Sequence, residues 1–221
     1  MSVQEIIDAI KANNKEKAAK LINLGTTNLL NQTDIEGRTP LSEAACWGHI
    51  EIVQLLIECV AAVDKDDIYG WTPLHRVASQ GHTEVAQLLI EHGAKVDKPD
   101  NKGLTPLFWA AYNGQIEVAQ LLIERGAKVD KPDNKGLTPL FWAASNGQIE
   151  VVQLLIERGA KVDKTDNNGL TPLFLSTSNH HTEVAQLLIK HGAKVTVCMT
   201  HTNINERSAN NTKSTSDLLF S

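Results

Sequence analysis

Residues 100–132 and 133–165 are two copies of one 33-residue segment, differing only as Tyr112 against Ser145, Ala119 against Val152 and Pro132 against Thr165. A fixed period constrains the fold more than any single residue, because a unit too short to bury its own apolar face must stack on its neighbours. The period runs beyond the twins. Thr-Pro-Leu begins at Thr39, Thr72, Thr105, Thr138 and Thr171, always 33 residues apart. Five full units result: 34–66, 67–99, 100–132, 133–165 and 166–198.

The wording of a unit predicts its shape. Asp100 and Gly103 suit the first and last positions of a type I turn. Thr105 can cap a helix whose first position, Pro106, needs no N–H partner. The short helix ends near Gly114, with Leu107, Ala110 and Ala111 facing the stack. Ile116, Val118, Ala119, Leu121, Leu122 and Ile123 then mark a second, longer helix. Gly126 closes it in the left-handed conformation open to glycine. Ala127 to Asp130 is expected as an extended return to the next turn. Aromatics are only 5% of the chain, so the core must be largely aliphatic.

Residues 1–33 read as a degenerate capping unit. Ser2 and Glu5 fit a capping box, and Val3, Ile6, Ile7 and Ile10 share one helical face. Asn13-Asn14 interrupts that helix, Ala18, Ala19, Leu21 and Ile22 mark the next, and Gly25 is placed to close it at C′. Lys11, Lys15, Lys17 and Lys20 supply the polar face that an end unit requires. At the other end, Ser176, Thr177 and His180 replace the twins' two alanines and glycine, which suits a closing unit. Residues 199–221 are polar, lack apolar periodicity and read as a disordered tail. Leu218-Leu219-Phe220 stands out in it, as a frayed end or a short linear motif.

Several chemistries are disfavoured. The net charge of -5 argues against a nucleic-acid binder, which would present a basic stripe. No apolar run reaches the ~20 residues that span a membrane, and no secretory leader is visible at the N-terminus. Cys46, Cys59 and Cys198 are scattered, which points to a reduced, cytoplasmic setting. His49, His82 and His181 recur one per unit, ~10 Å apart by helix-layer packing, so they cannot share a metal ion. Asp97, Asp130 and Asp163 are expected in turn bonding and solvation, without the converging oxygens of a calcium site. No phosphate loop or activated nucleophile is present. No catalytic, cofactor or metal site is therefore assigned, and the chain is expected to be non-enzymatic.

Thr72-Pro73-Leu74-His75-Arg76-Val77-Ala78, the Gly-(His/Gln)-x-Glu-(Val/Ile) pattern and Leu-Leu-Ile-x-x-Gly-Ala together resemble the ankyrin repeat. Other units depart from it: Ser42, Phe108, Phe141 and Phe174 stand where the motif has His, and Cys59-Val60-Ala61 replaces one Gly-Ala ending. The resemblance implies an all-α solenoid of stacked helix-turn-helix units joined by hairpin-like turns. It also implies a concave groove that binds a protein, lined by the second, third, fifth, thirteenth and fourteenth positions of each unit. Those positions include Ile35, Glu36, Arg38 and Ile68, and the residues singled out among them for binding are Trp47, Tyr69, Trp71, Lys102, Leu104, Tyr112, Asn113, Lys135, Leu137, Asn146 and Leu170. Trp71, Leu104, Leu137 and Leu170 share one position and are expected to form an exposed apolar row, with inter-turn packing as the alternative. Phe108, Phe141, Phe174, Trp109 and Trp142 are expected in packing between units.

The expected function is non-catalytic recognition of a protein partner, without nucleic acid or membrane, by a monomer. An architectural or self-associating spacer is one alternative. A microbial or viral effector delivered to host cells, which the resemblance also allows, is another.

Overall fold

The computed structural model describes residues 2–195, and the tail expected at 199–221 lies outside them. Among the described residues there are thirteen helices and no strand. The first three are α1 (Val3–Lys11), α2 (Lys15–Leu24) and the single turn α3 (Thr27–Leu30). Five helix pairs follow: α4 (Pro40–Cys46) and α5 (Ile50–Glu58), α6 (Pro73–Gln80) and α7 (Thr83–Glu91), α8 (Pro106–Asn113) and α9 (Ile116–Glu124), α10 (Pro139–Ser145) and α11 (Ile149–Glu157), and α12 (Pro172–Ser178) and α13 (Thr182–Lys190). The short helices α4, α6, α8, α10 and α12 touch in succession, as do the longer α5, α7, α9, α11 and α13. The result is a two-layer linear array that α1 and α2 extend by packing on α4 and α5.

Local chemistry starts each short helix. Thr39 Oγ1 accepts the Ser42 N–H at 3.1 Å, and Thr171 Oγ1 accepts that of Phe174 at 3.2 Å. Proline follows at the first helical position in all five. These helices lie inside the stack, so Leu107, Ala110, Ala111, Leu140, Ala143 and Ala144 are wholly buried. The paired alanines let neighbouring units approach closely. The longer helices bury one face only, Val118, Ala119 and Leu122 in α9, and present Gln120 and Glu124 to solvent.

The glycine that ends each short helix has two reasons to be there. Gly48 has φ +68°, and a β-carbon on it would stand 2.6 Å from Nδ1 of His82 in the next pair. Gln115, Gln148 and His181 lie across Gly81, Gly114 and Gly147 in the same way. His180 keeps the left-handed backbone, φ +62°, but no further unit among the described residues lies across it. A side chain is therefore tolerated there at the cost of backbone strain alone.

The structure departs from expectation in two places. The Ser2–Glu5 capping box forms, and Asn13 (φ +51°) breaks the first helix. Gly25, however, is extended (φ -75°, ψ 146°) and not left-handed, because Thr26 immediately caps α3. The return from each long helix is not simply extended either. Lys131 N donates to Lys128 O at 3.2 Å, closing a turn, and Lys98 and Lys164 do the same.

Candidate interaction surface

Each pair is preceded by a hairpin turn built on one aspartate. Asp67 N donates to Trp71 O and Gly70 N to Asp67 O, both at 3.0 Å. The Asp67 carboxylate accepts the N–H of Tyr69 at 2.8 Å and of Trp71 at 2.9 Å. Asp34, Asp100, Asp133 and Asp166 repeat this geometry. A carboxylate satisfies two backbone donors at once, which is why this position is Asp in all five units. Burial opposes ionisation of Asp34, but the N–H and guanidinium of Arg38 outweigh it and hold its carboxyl below the usual range. At Asp100 and Asp133 burial prevails and pushes the carboxyl up.

The hairpin tips are bonded into one rank. Ile68 N donates to Glu36 O at 3.2 Å, Asn101 N to Tyr69 O at 3.1 Å, Asn134 N to Lys102 O at 3.1 Å and Asn167 N to Lys135 O at 3.0 Å. These bonds place the second and third positions of each unit side by side along one edge of the array.

A second ladder ties the opposite ends of the units together. Asp64, Asp97, Asp130 and Asp163 accept the backbone N–H of Lys95, Lys128, Lys161 and Lys194, each one unit on, at 2.8–3.2 Å. Lys98 and Lys164 Nζ each donate to the carbonyl of Asp64 and Asp130 at 2.8 Å. In the capping unit Asn31 Oδ1 accepts the Ala62 N–H at 2.7 Å in the same role. These aspartates clamp neighbouring units, where the sequence reading expected turn bonding and solvation. Their 33-residue recurrence was the available signal, but the partner backbone is invisible in a single unit.

The expected apolar row does not lie open. Leu104 is 2% exposed and belongs to the core, while Leu137, Leu170 and Trp71 are half-buried. The fifth position closes the hairpin back on its aspartate and leads into the helix cap, so its side chain turns under the tips. The carbonyl of Leu104 also meets His75 Nε2, 3.1 Å away. The Trp71 ring lies 4.3 Å from that of Trp109, with the Arg76 guanidinium 5.4 Å from its centroid and bonded to Asp67. Inter-turn packing, the alternative reading, describes this row best.

Tyr112 is half-buried among Phe108, Trp109 and Trp142, with ring centroids 5.7–6.4 Å apart. Asn146 is half-buried and donates to Tyr112 O at 2.9 Å. Asn113 is exposed but its amide bonds to Trp109 O at 3.0 Å and Ser79 Oγ at 3.2 Å. Lys102 and Lys135 project from the tips and are exposed. Phe108, Phe141, Trp109 and Trp142 are buried between units as expected, but Phe174 is 42% exposed.

The large apolar side chains that do face solvent along this edge belong to the first two helix pairs. Ile35 is 95% exposed, Ile68 57%, Tyr69 59% and Trp47 53%. Ile35, Ile68 and Tyr69 sit on adjacent tips joined by the Ile68–Glu36 bond. Trp47 is held in place, since its indole N–H donates to Glu43 Oε1 at 2.9 Å. Glu43 is itself buried and faces Arg38. Ile35 is the most exposed of these, and Ile68 and Tyr69 stand beside each other on the next tip, whereas Trp71 turns inward.

Other chemistry finds little footing. Burial pushes the Cys46 thiol up, so it remains protonated and a poor nucleophile at neutral pH. Among the described residues no group of three or more His, Cys, Asp or Glu could hold a metal ion, and no helix is long and apolar enough to cross a membrane.

No curated protein matched the chain. A family model described as ankyrin repeats (3 copies) matches it over residues 6–67, 60–133 and 128–198. Those matches cover nearly all of the helical array, and the two helix layers, stacked hairpins and Thr-Pro starts agree with them: the chain belongs to the ankyrin-repeat family.

Proposed function

We propose that this chain is a non-catalytic recognition module that captures a protein partner on its hairpin-tip edge, with the contact centred on the first two helix pairs. Ankyrin repeats are generally protein–protein interaction modules, and that is the class of function the family carries. The observation that supports the finer reading is the exposure of Ile35, Ile68 and Tyr69 on adjacent tips, with Trp47 exposed at the end of α4. The equivalent second and third positions of the later units are Asn101, Lys102, Asn134, Lys135, Asn167 and Asn168, which are polar and exposed. Exposed apolar side chains grouped on a rigid scaffold mark interaction sites, and aromatic ones often anchor them. Trp47, pinned by Glu43, loses little freedom on binding. Lys102, Lys135, Asn113 and the exposed part of Tyr112 would form the polar flank. Leu104 has no part in it.

The half-buried free cysteines Cys46 and Cys59 suit a reducing, cytoplasmic setting. The test replaces Ile68 and Tyr69 together by Ser, both being exposed and outside the core. Partners are captured from lysate with wild type, with this variant and with Gln120→Ala on the opposite face. A specific partner should be retained by the control and weakened at least ~10-fold by the double variant, the loss of one hot spot. Equal capture by all three, with melting unchanged, refutes the proposed surface.

A further inference from the structure

The far end of the array is open. Phe174 is 42% exposed, whereas Phe108 and Phe141 at the same position are 2% and 0% exposed beneath the next unit. Val195 is 68% exposed, whereas Val63, Val96, Val129 and Val162 at its position pack against the core. Ile189 is 47% exposed, and Ile90, Ile123 and Ile156 are again packed against the core. Together with Leu170 and Leu173, these three line an apolar groove of about 140 Å³ between α12 and α13. In each interior unit the following helix pair covers this face.

We propose that residues 218–220 of the chain itself, Leu218-Leu219-Phe220, dock into this groove. Four observations favour that occupant. The described chain reaches Val195 on the rim of the groove, so residues 196–221 start where they would have to return. A connecting stretch the length of 196–217 has an r.m.s. reach of ~25 Å, ample for the return, and holds the segment at millimolar effective concentration. Ile204 is the one large apolar residue in 200–217, so the run of three at 218–220 is set apart from its surroundings. Asp217, just before it, carries the charge that complements Lys194 on the groove rim. Head-to-tail stacking of a second copy is the competing occupant, and the dependence of protection on protein concentration separates the two.

The test uses the full chain and a variant with Leu218, Leu219 and Phe220 all replaced by Ser. Amide exchange in α12 and α13 should quicken at least ~3-fold in the variant, and binding of a hydrophobic dye should rise, with helix content unchanged. Phe174→Ser should have the same effect, and the combination should add little to either, as expected when two changes break one contact. If Phe174→Ser unfolds the last pair, the tail variant still decides the matter. Exchange in α12 and α13 that is unaltered by the tail change overturns the proposal. So does protection that rises with protein concentration, since that assigns the groove to a second copy. Exposure of the groove by Val197→Ser with Met199→Ser, but not by the 218–220 change, also overturns it. Because this groove is remote from Ile68 and Tyr69, loss of partner capture in the tail variant is not expected, and either reading can fail without the other.

Discussion

His75 ties the second helix pair to the third hairpin, and its protonation should loosen that junction. The side chain is wholly buried. Its Nε2 faces Leu104 O at 3.1 Å, and its Nδ1 lies 3.1 Å from Thr72 N and 2.9 Å from Thr72 Oγ1. The ring therefore donates from Nε2 and accepts at Nδ1, which is a neutral tautomer. Adding a proton places a donor on Nδ1 against the Thr72 N–H. Burial lowers the pKa to about 4, against the opposing pull of the Leu104 carbonyl and of Asp67 and Asp66, with Lys98 adding to the depression. The unfolded chain titrates near the ordinary value of ~6.5. Since the folded value is the lower one, the unfolded state binds the extra proton between the two. The contribution is complete above ~6.5 and is lost as pH falls toward 4. Integrating between these values, wild type should lose ~2 kcal/mol from this residue between pH 7.5 and pH 5. His75→Gln keeps a donor and an acceptor but does not titrate. Urea denaturation of both proteins at the two pH values isolates the term, because carboxylate effects common to both cancel. If wild type and His75→Gln lose the same stability on acidification, the buried neutral histidine is not the cause and the assignment is wrong.

Four further substitutions test the same packing. Gly126→Ala should cost ~1 kcal/mol from the left-handed backbone alone, since a β-carbon there meets nothing within 4 Å. Gly70→Ala should cost distinctly more in the same thermal or urea assay, because its β-carbon would stand 2.7 Å from the backbone nitrogen of Asn101 and push the tips apart. Equal costs would show that the tip bonds carry little. Asp130→Ala removes the acceptor for the Lys161 N–H at 3.2 Å and should destabilise the array by ~1 kcal/mol, read as faster amide exchange at that junction. Trp71→Ala should cost ~3 kcal/mol in thermal or urea unfolding through lost contact with Trp109 and Arg76, so weakened partner capture in that variant would reflect packing; unchanged stability would return Trp71 to the binding surface.

Much of the fold was legible because each unit restates its own local instructions. Thr105-Pro106 begins a helix, Gly114 and Gly126 end two, and Asp100 with Gly103 bends the chain, all through bonds within a few residues. Where a residue's role depended on the neighbouring unit, the reading faltered. Within one unit Asp97 and Asp130 look like solvated turn residues, because the N–H groups they hold belong to Lys128 and Lys161 a full unit away. Leu104 and Tyr69 both stand at positions that face the groove in related proteins, yet one is buried and the other open. Gly25 reads as a left-handed stop in the sequence, but Thr26 begins another turn of helix.

The amino-acid sequence alone determined the repeating unit, its period, the Thr-Pro start of each short helix and the family it resembles, since those follow from caps, turns and apolar spacing inside 33 residues. Only the tertiary structure decided which tip residues solvent can reach, which aspartates join units, and that Phe174 lies open where Phe141 is covered. Exposure in a stack is set by the unit that lies on top, and no unit's own sequence contains it.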